Sequence, residues 1–441
     1  MIPNIPLDDP SIAGFRVKEP KKIVCDARKP LTEPEGLTLK LHLERASQFG
    51  LPSDMSINCS YQGILRITKE PDKCDGRCDR RWKLNTTVLQ ITEETTNIEV
   101  DDGILVRCYN STYHTVYKNV HYFIQLKRYM KKLNKHQKDE ESEKKGDLRK
   151  LNVIMVGNDA VSRSNMLRHL PKSYAYLMEE LGAIDLRGYN KIGDNTFPNM
   201  ITILTGYSFP VNNNHSCVRP GSKNLDDCPF VWKNFSQKGY VTVYGEDVPF
   251  MGTFRYAKSG FCQEPTDFYN SPIAFASDTY VGHMAGLKGL DGFICQAEKL
   301  TAKVLYDYSL LMAATLQGVP YFGYYWLSTL SHESLTLISA EDQTTLEYLQ
   351  AMKREGYLED TIMLFMSDHG MRYGPIRYTL AGLLEERLPY MLIVLPTWFE
   401  ESFPEAVKNL RLNSERLTSN YDIFATLHDL HSKAYADLRS R

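Results

Sequence analysis

The chain has no run of roughly 18 or more apolar residues, the length that a bilayer-spanning helix requires, so no segment reads as a membrane span. It has no charge excess: 52 Lys+Arg stand against 54 Asp+Glu, a formal net charge of -2. That balance argues against a nucleic-acid partner, because nucleic-acid binders carry a basic footprint. The first fifteen residues, MIPNIPLDDPSIAGF, lack the basic and apolar regions of a signal peptide. Nor is the composition that of a disordered chain, with 42% hydrophobic and 24% charged residues. What the chain does have is length. Its 441 residues exceed one ordinary core and fit about two to three domains.

The 9 cysteines are the unusual count. Cys25, Cys59, Cys74, Cys78 and Cys108 fall early; Cys217, Cys228, Cys262 and Cys295 follow, and none comes later. This grouping predicts two disulfide sets, one per region, with at least one thiol left over. Cys74 and Cys78 have no matching Cys/His pair at zinc-finger spacing, which sets a structural zinc aside. Asn-x-Ser/Thr sequons stand at Asn58, Asn85, Asn110, Asn214 and Asn234. Sequons and cysteines in the same stretches predict a glycosylated, disulfide-bonded protein of the secretory lumen or extracellular space. The absent signal conflicts with that unless the start is truncated or alternatively spliced, the other reading being a cytosolic protein with reduced thiols; with the odd cysteine, the first reading predicts a chain cut at both ends.

Residues 131–150, KKLNKHQKDEESEKKGDLRK, carry 13 charged side chains in 20 positions and read as a linker. Before it, short β-type runs at 63–68, 87–92 and 104–108 alternate with turns, predicting a small β-rich domain over residues 1–130. After it, apolar runs at 151–157, 184–189, 240–245, 320–327, 361–367 and 390–395 alternate with amphipathic stretches at 174–181, 300–316, 340–355 and 416–430. Strands apolar on both faces, alternating with helices, predict a doubly wound, mostly parallel α/β sheet over 151–441.

Ligands of such sheets sit beyond the carboxyl ends of the strands. There the chain presents Asp159 after the first run, Ser331-His332-Glu333 after the fourth and Asp368-His369 after the fifth. The run at 184–189 leads to Asn195-Thr196-Phe197-Pro198, where Pro198 suits the first turn of a helix. The Thr196 hydroxyl would then meet an anion at a helix N-terminus. A threonine hydroxyl is a weak nucleophile that metal coordination can activate. Asp159, Thr196, Asp368 and His369 make an O/O/O/N set suited to one Zn²⁺ or Mn²⁺ ion. Taken singly, Asp159 or Thr196 is equally a helix cap, Asp368-His369-Gly370 a turn, and His332 a satisfied histidine. The ordered set is the signal.

That set resembles the alkaline phosphatase/sulfatase superfamily, and within it the animal sulfatase-like family called domain of unknown function 229. The likeness rests on Val156–Arg163, Gly188–Asn199, Trp326–His332, Ser367–Arg372, Gly382–Pro389 and Leu417–Leu427, and covers about residues 20–435. It implies an alkaline phosphatase-like fold. It implies that Asp159, Asp368 and His369 hold a metal and that Thr196 is the nucleophile. Two-metal members use Asp-x-x-x-His; here Ser328 stands four residues before His332, and Thr418–Asp422 carries no late histidine. This makes a second metal doubtful and is similar to the lipoteichoic acid synthases and phosphoethanolamine transferases, where His332 and Arg372 would touch the substrate. Asn195 would contact a non-bridging oxygen.

The implied activity is a metal-dependent hydrolase or transferase of phosphate mono- or diesters, with a phosphothreonine intermediate. The substrate would be a phosphate or sulfate ester, lipid- or glycan-linked. Usual sulfatase chemistry is disfavoured, since sulfatases oxidise a Cys or Ser before x-Pro to formylglycine and Thr196 cannot form that aldehyde. Two alternatives are an inactive extracellular binding protein on the same scaffold and an atypical sulfuric ester hydrolase. Family members also tend to carry a membrane anchor, absent from this chain and expected of a longer form.

Overall fold

The structure, a computed structural model, describes residues 2, 5–15, 23–50, 57–68, 78–99, 102–126, 151–208, 217, 224–256, 258, 260–282 and 293–433. Cys74, Asn214 and the charged stretch 131–150 lie outside the described residues.

In the N-terminal part, β1 (Asn58–Arg66), β2 (Asp102–Tyr109) and β3 (Thr115–Phe123) pair antiparallel. Cys59 lies directly across from Cys108, and the two are disulfide-bonded. One face of these strands buries Ile104, Val106 and Phe123 with Leu31 and Leu39. The other presents Ile64, Leu105 and Val120 to Ile273 and Ala276 of the helix Ser271–Tyr280. The β-rich part is thus packed onto the α/β part.

The α/β part is built on β4 (Asn152–Asn158), β5 (Ile184–Asp185), β7 (Val241–Glu246), β8 (Phe268–Tyr269), β9 (Tyr321–Leu327), β10 (Thr361–Ser367) and β11 (Met391–Val394); β6 (Gly188–Asn190) lies between β5 and β7 in the chain and outside this sheet. Their order is β5-β11-β10-β4-β9-β7-β8. The pairs from β10 to β8 are parallel; at the opposite edge β11 is antiparallel to β10, and β5 is antiparallel to β11 and so runs in the direction of the parallel strands. Strand side chains alternate between faces, so Val153 and Met155 enter one core while Ile154 and Val156 enter another. Helices α1 (Thr196–Thr205) and α4 (Asn420–Ser432) cover the first face through Met200, Ile201, Leu204, Ile423 and Leu427. Helices α2 (Thr301–Thr315) and α3 (Asp342–Arg354) cover the second through Leu305, Met312, Tyr348 and Met352. This is the expected doubly wound, mostly parallel α/β fold with a β-rich N-terminal part.

Three expectations need correction. The apolar run 184–189 is not one strand. It splits at Leu186 and Arg187 into β5, in the main sheet, and β6, which pairs in parallel with β12 (Leu417–Ser419). The stretch 416–430 is accordingly a short strand before a helix, where β-branched Thr418 and the capping box of Ser419 and Asp422 set the boundary. The disulfides do not fall into one set per region. Cys217–Cys228 is local, but Cys25–Cys295 joins the two parts across 270 residues. Cysteine grouping along a chain does not report three-dimensional distance, and here the N-terminal segment runs back to the α/β part. Cys262 is disulfide-bonded too. No helix among the described residues is long and apolar enough to cross a membrane.

Candidate metal centre

Register places the candidate ligands side by side. Asn158 of β4 is level with Leu327 of β9 on one side and Ser367 of β10 on the other. The next residue of each strand, Asp159, Ser328 and Asp368, therefore emerges at one height. After Asp159 the backbone turns through the left-handed region at Ala160, with φ 62°. That turn aims the Ala160 N–H at Asp368 Oδ1, 3.1 Å away, and the Val161 N–H at Ser367 Oγ, 3.0 Å away.

Asp159, Asp368 and His369 each offer a ligand atom within 4.8 Å of the others, and all three are buried. Asp368 Oδ1 is occupied by the N–H groups of Ala160 and His369. Its Oδ2 has no hydrogen-bond partner and lies 3.2 Å from His369 Nε2, which also has none. His369 Nε2 is 3.7 Å from Asp159 Oδ1. Nδ1 of the same ring lies 2.8 Å from the Gly370 carbonyl. That contact suits an Nδ1–H tautomer, with the Nε2 lone pair facing the carboxylates. Buried polar atoms are ordinarily paired. Two convergent orphans, one a carboxylate oxygen and one an imidazole nitrogen, fit a divalent ion of the zinc or manganese kind. Burial first, and then the charge of Asp368, push the Asp159 carboxyl up to about 7.

Thr196 is the first residue of α1, and its hydroxyl donates to Asp159 Oδ1 over 3.1 Å. Asn195 is the N-cap, but its side chain makes no capping bond. The residue that holds this turn is Asn199, which the motif contains and sequence reasoning passed over. Asn199 Oδ1 accepts from the N–H groups of Ile192 and Gly193, and its Nδ2 donates to the carbonyls of Gly193 and Asn195, all four at 2.9 Å. Gly193 is needed for the approach, since a Cβ there would sit 2.5 Å from Pro198 Cβ. Behind Asn199 lies Asn420, and behind that the Tyr189 hydroxyl.

Arg372 and His332 flank the centre. The Arg372 charge lowers the Asp159 carboxyl, opposing the larger effect of burial. An Arg372 Nη2 hydrogen donates to the Tyr373 hydroxyl at 2.6 Å, and Tyr373 packs edge-on against His332 with ring centroids 5.7 Å apart. His332 Nδ1 lies 2.7 Å from Glu333 Oε1, which leaves Nε2 for a ligand. Asp159, Asp368, His369 and Thr196 thus come together directly, Asn195 precedes Thr196 in the chain, and Arg372 and His332 meet through Tyr373. Those that sequence reasoning missed are buried supports: Asn199, Asn420, Ser328, and Asp247 at the end of β7. Burial pushes the Asp247 carboxyl up to about 6, against the hydrogen bonds from Thr329 and Ser328. Nothing in a short polar residue after an apolar run distinguishes such a support from a cap.

A family model described as "Protein of unknown function (DUF229)" matches residues 18–436. No curated protein matches the chain at a significant level. Among solved structures, an alkaline phosphatase superfamily protein from Vibrio parahaemolyticus aligns at 12% identity, covering 65% of this chain and 67% of that one, with a TM-score of 0.43. The lipoteichoic acid synthase LtaP from Listeria monocytogenes aligns at 13% identity over 64% and 72%, TM-score 0.41. The periplasmic domain of EcEptC from Escherichia coli, in complex with Zn, aligns at 11% over 66% and 84%, TM-score 0.42.

Proposed function

The chain belongs to the DUF229 family, and from that premise we propose that the buried Asp159, Asp368 and His369 cluster is the active site of a metal-dependent hydrolase or transferase acting on phosphate esters. The observation that carries this reading is the pair of unpartnered buried atoms, Asp368 Oδ2 and His369 Nε2, facing Asp159 beside a threonine at a helix N-terminus. One divalent ion, Zn²⁺ or Mn²⁺, held by Asp159, Asp368 and His369 would supply Lewis-acid charge for the phosphoryl group and for the Thr196 oxygen.

The chain's own residues do the rest. The Asn199 hydrogen bonds fix the turn before Thr196, so the hydroxyl is pre-aligned. The N–H groups at the start of α1 face the phosphoryl anion. Arg372 and His332 hold its oxygens, and Asn195 donates to a non-bridging one. Attack forms the Thr196 Oγ–P bond and breaks the bond from phosphorus to the leaving oxygen, which departs as the alcohol by taking up the proton that the Thr196 hydroxyl gives up. Water or an acceptor alcohol then resolves the phosphothreonine. Ser328 in place of an acidic residue supports one ion over two.

The ester would be lipid- or glycan-linked and met in the extracellular space or secretory lumen. The disulfides Cys25–Cys295, Cys59–Cys108 and Cys217–Cys228 support that compartment. In this reading residues 1–130 form an accessory unit and 151–441 the catalytic one.

The test is hydrolysis of bis(4-nitrophenyl) phosphate with Zn²⁺ or Mn²⁺ by wild type and Thr196→Ala. Loss of turnover with metal content retained supports the assignment. Undiminished turnover in the variant removes Thr196 as nucleophile.

A further inference from the structure

Strand β7 ends on two buried carboxylates, Glu246 and Asp247, 2% and 7% exposed. Glu246 is matched by a cation. It accepts from Arg255 Nη2 at 2.6 Å and from the Thr253 N–H at 2.7 Å. Asp247 is held differently. Its Oδ1 accepts from the Ser328 N–H at 2.9 Å, and its Oδ2 from the Thr329 N–H at 3.0 Å and the Thr329 hydroxyl at 2.6 Å. These three donors come from the turn that follows β9.

The register explains why. Glu246 pairs with Trp326, and the Asp247 N–H donates to the Trp326 carbonyl, so Asp247 lies beside the exit of β9. The same turn does two things at the metal centre. The Ser328 hydroxyl donates to Asp159 Oδ2 at 3.3 Å. The Ser328 carbonyl accepts from the His332 N–H at 3.0 Å, which seats the histidine. Asp159 is thereby gripped on Oδ2 while Oδ1 turns toward Thr196 and His369.

We infer that Asp247 is a positioning residue for the metal centre, acting through Ser328 on the orientation of Asp159 and through the 328–332 turn on the placement of His332. The inference rests on the metal-centre reading above and extends it one shell outward. Both carboxylate oxygens of Asp247 are met by donors, so the group cannot be replaced by its amide. An asparagine would turn an NH₂ against at least one N–H. Groups that orient metal ligands govern affinity nearly as strongly as the ligands do, and their loss costs roughly 10- to 100-fold.

The experiment is competition for Zn²⁺ between the protein and a chromophoric chelator, for wild type, Asp247→Asn and Ser328→Ala, with circular dichroism to check folding. Both variants are expected to bind Zn²⁺ roughly 10- to 100-fold more weakly than wild type. Asp247→Asn is expected also to raise KM for the phosphodiester, whereas Ser328→Ala, which keeps the turn, leaves KM near its wild-type value. Ser328→Ala removes a single hydroxyl, so it keeps the question open to decision if Asp247→Asn fails to fold. Wild-type Zn²⁺ affinity in folded Ser328→Ala overturns the inference while leaving the metal centre standing. A wild-type protein that takes up neither Zn²⁺ nor Mn²⁺ overturns both.

Discussion

Asn420 donates through one amide nitrogen to both the carbonyl and the side-chain oxygen of Asn199, at 3.0 and 3.1 Å. Both residues are fully buried. The bond ties the late helix α4 to the turn that carries Thr196, 224 positions earlier. Replacing Asn420 with Ala leaves Asn199 under-satisfied and frees that turn. The stability cost is about 1–3 kcal/mol. Turnover of the phosphodiester should fall roughly 10- to 100-fold, since small misplacements of a reacting group are costly. Zn²⁺ affinity should stay at the wild-type value, because none of the three ligands touches Asn420. Steady-state kinetics with a metal titration checks this; a parallel loss of metal would place the defect elsewhere.

Removal of the metal should destabilise the fold. Without an ion, Asp159 and Asp368 repel each other inside a buried site, and a ligand that binds only the native state stabilises it by mass action. At 100 times Kd that amounts to about 3 kcal/mol. Chelation should therefore lower Tm, and added Zn²⁺ or Mn²⁺ should restore it. His369→Ala should abolish the metal-dependent shift, while Thr196→Ala should keep most of it. Thermal melts with and without chelator decide the matter. Identical metal-induced shifts in wild type and His369→Ala would move the site away from His369.

The architecture of the α/β part was legible because parallel strands buried on both faces write themselves as apolar runs. Five of the six runs, at 151–157, 240–245, 320–327, 361–367 and 390–395, each correspond to a strand. The sixth failed because Ile184 to Tyr189 is apolar enough for one strand, yet Leu186 and Arg187 turn the chain out of the sheet. The candidate ligands were legible by position, Asp159 directly after β4 and the pair Asp368-His369 directly after β10. Their supports were not. Asn420, Ser328 and Asp247 act through hydrogen bonds between segments that only the fold brings together, while Asn199 closes a local turn that its residue type does not announce. Cys25–Cys295 was hidden for the same reason: its partners are 270 residues apart.

That disulfide has a measurable consequence. Cross-linking positions so distant removes much of the conformational freedom of the unfolded chain. Cys25→Ser/Cys295→Ser should lower unfolding stability by roughly 2–5 kcal/mol. Neither cysteine is among the candidate ligands Asp159, Asp368 and His369, so Zn²⁺ affinity at low temperature should hold. Chemical denaturation of the double variant beside wild type tests it, and an unchanged midpoint would show that the bridge closes a loop already held by packing.

The pH dependence of stability should carry a signature of Glu341. This carboxylate is 1% exposed and accepts from Tyr306 at 2.7 Å and from Asn158 Nδ2 at 3.0 Å. Burial pushes its carboxyl up to about 7, although the hydrogen bonds from Tyr306 and Asn158 oppose the rise. A raised carboxyl means that the folded protein holds the proton more tightly than the unfolded chain does. The stability this confers is complete below the unfolded value, 4.5, and is lost as pH climbs through about 7. Glu341→Gln keeps the shape and an acceptor oxygen but has no proton to release. Asp247, raised in the same sense, is present in both proteins, and its charge adds to the rise at Glu341. The stability of Glu341→Gln relative to wild type should therefore rise from pH 5 to pH 8, by on the order of 2 kcal/mol. Denaturant unfolding at both pH values measures this. A difference that is flat with pH would mean that Glu341 stays ionised in the fold, and one that shrinks would mean that its neighbours hold it as a carboxylate below the usual range.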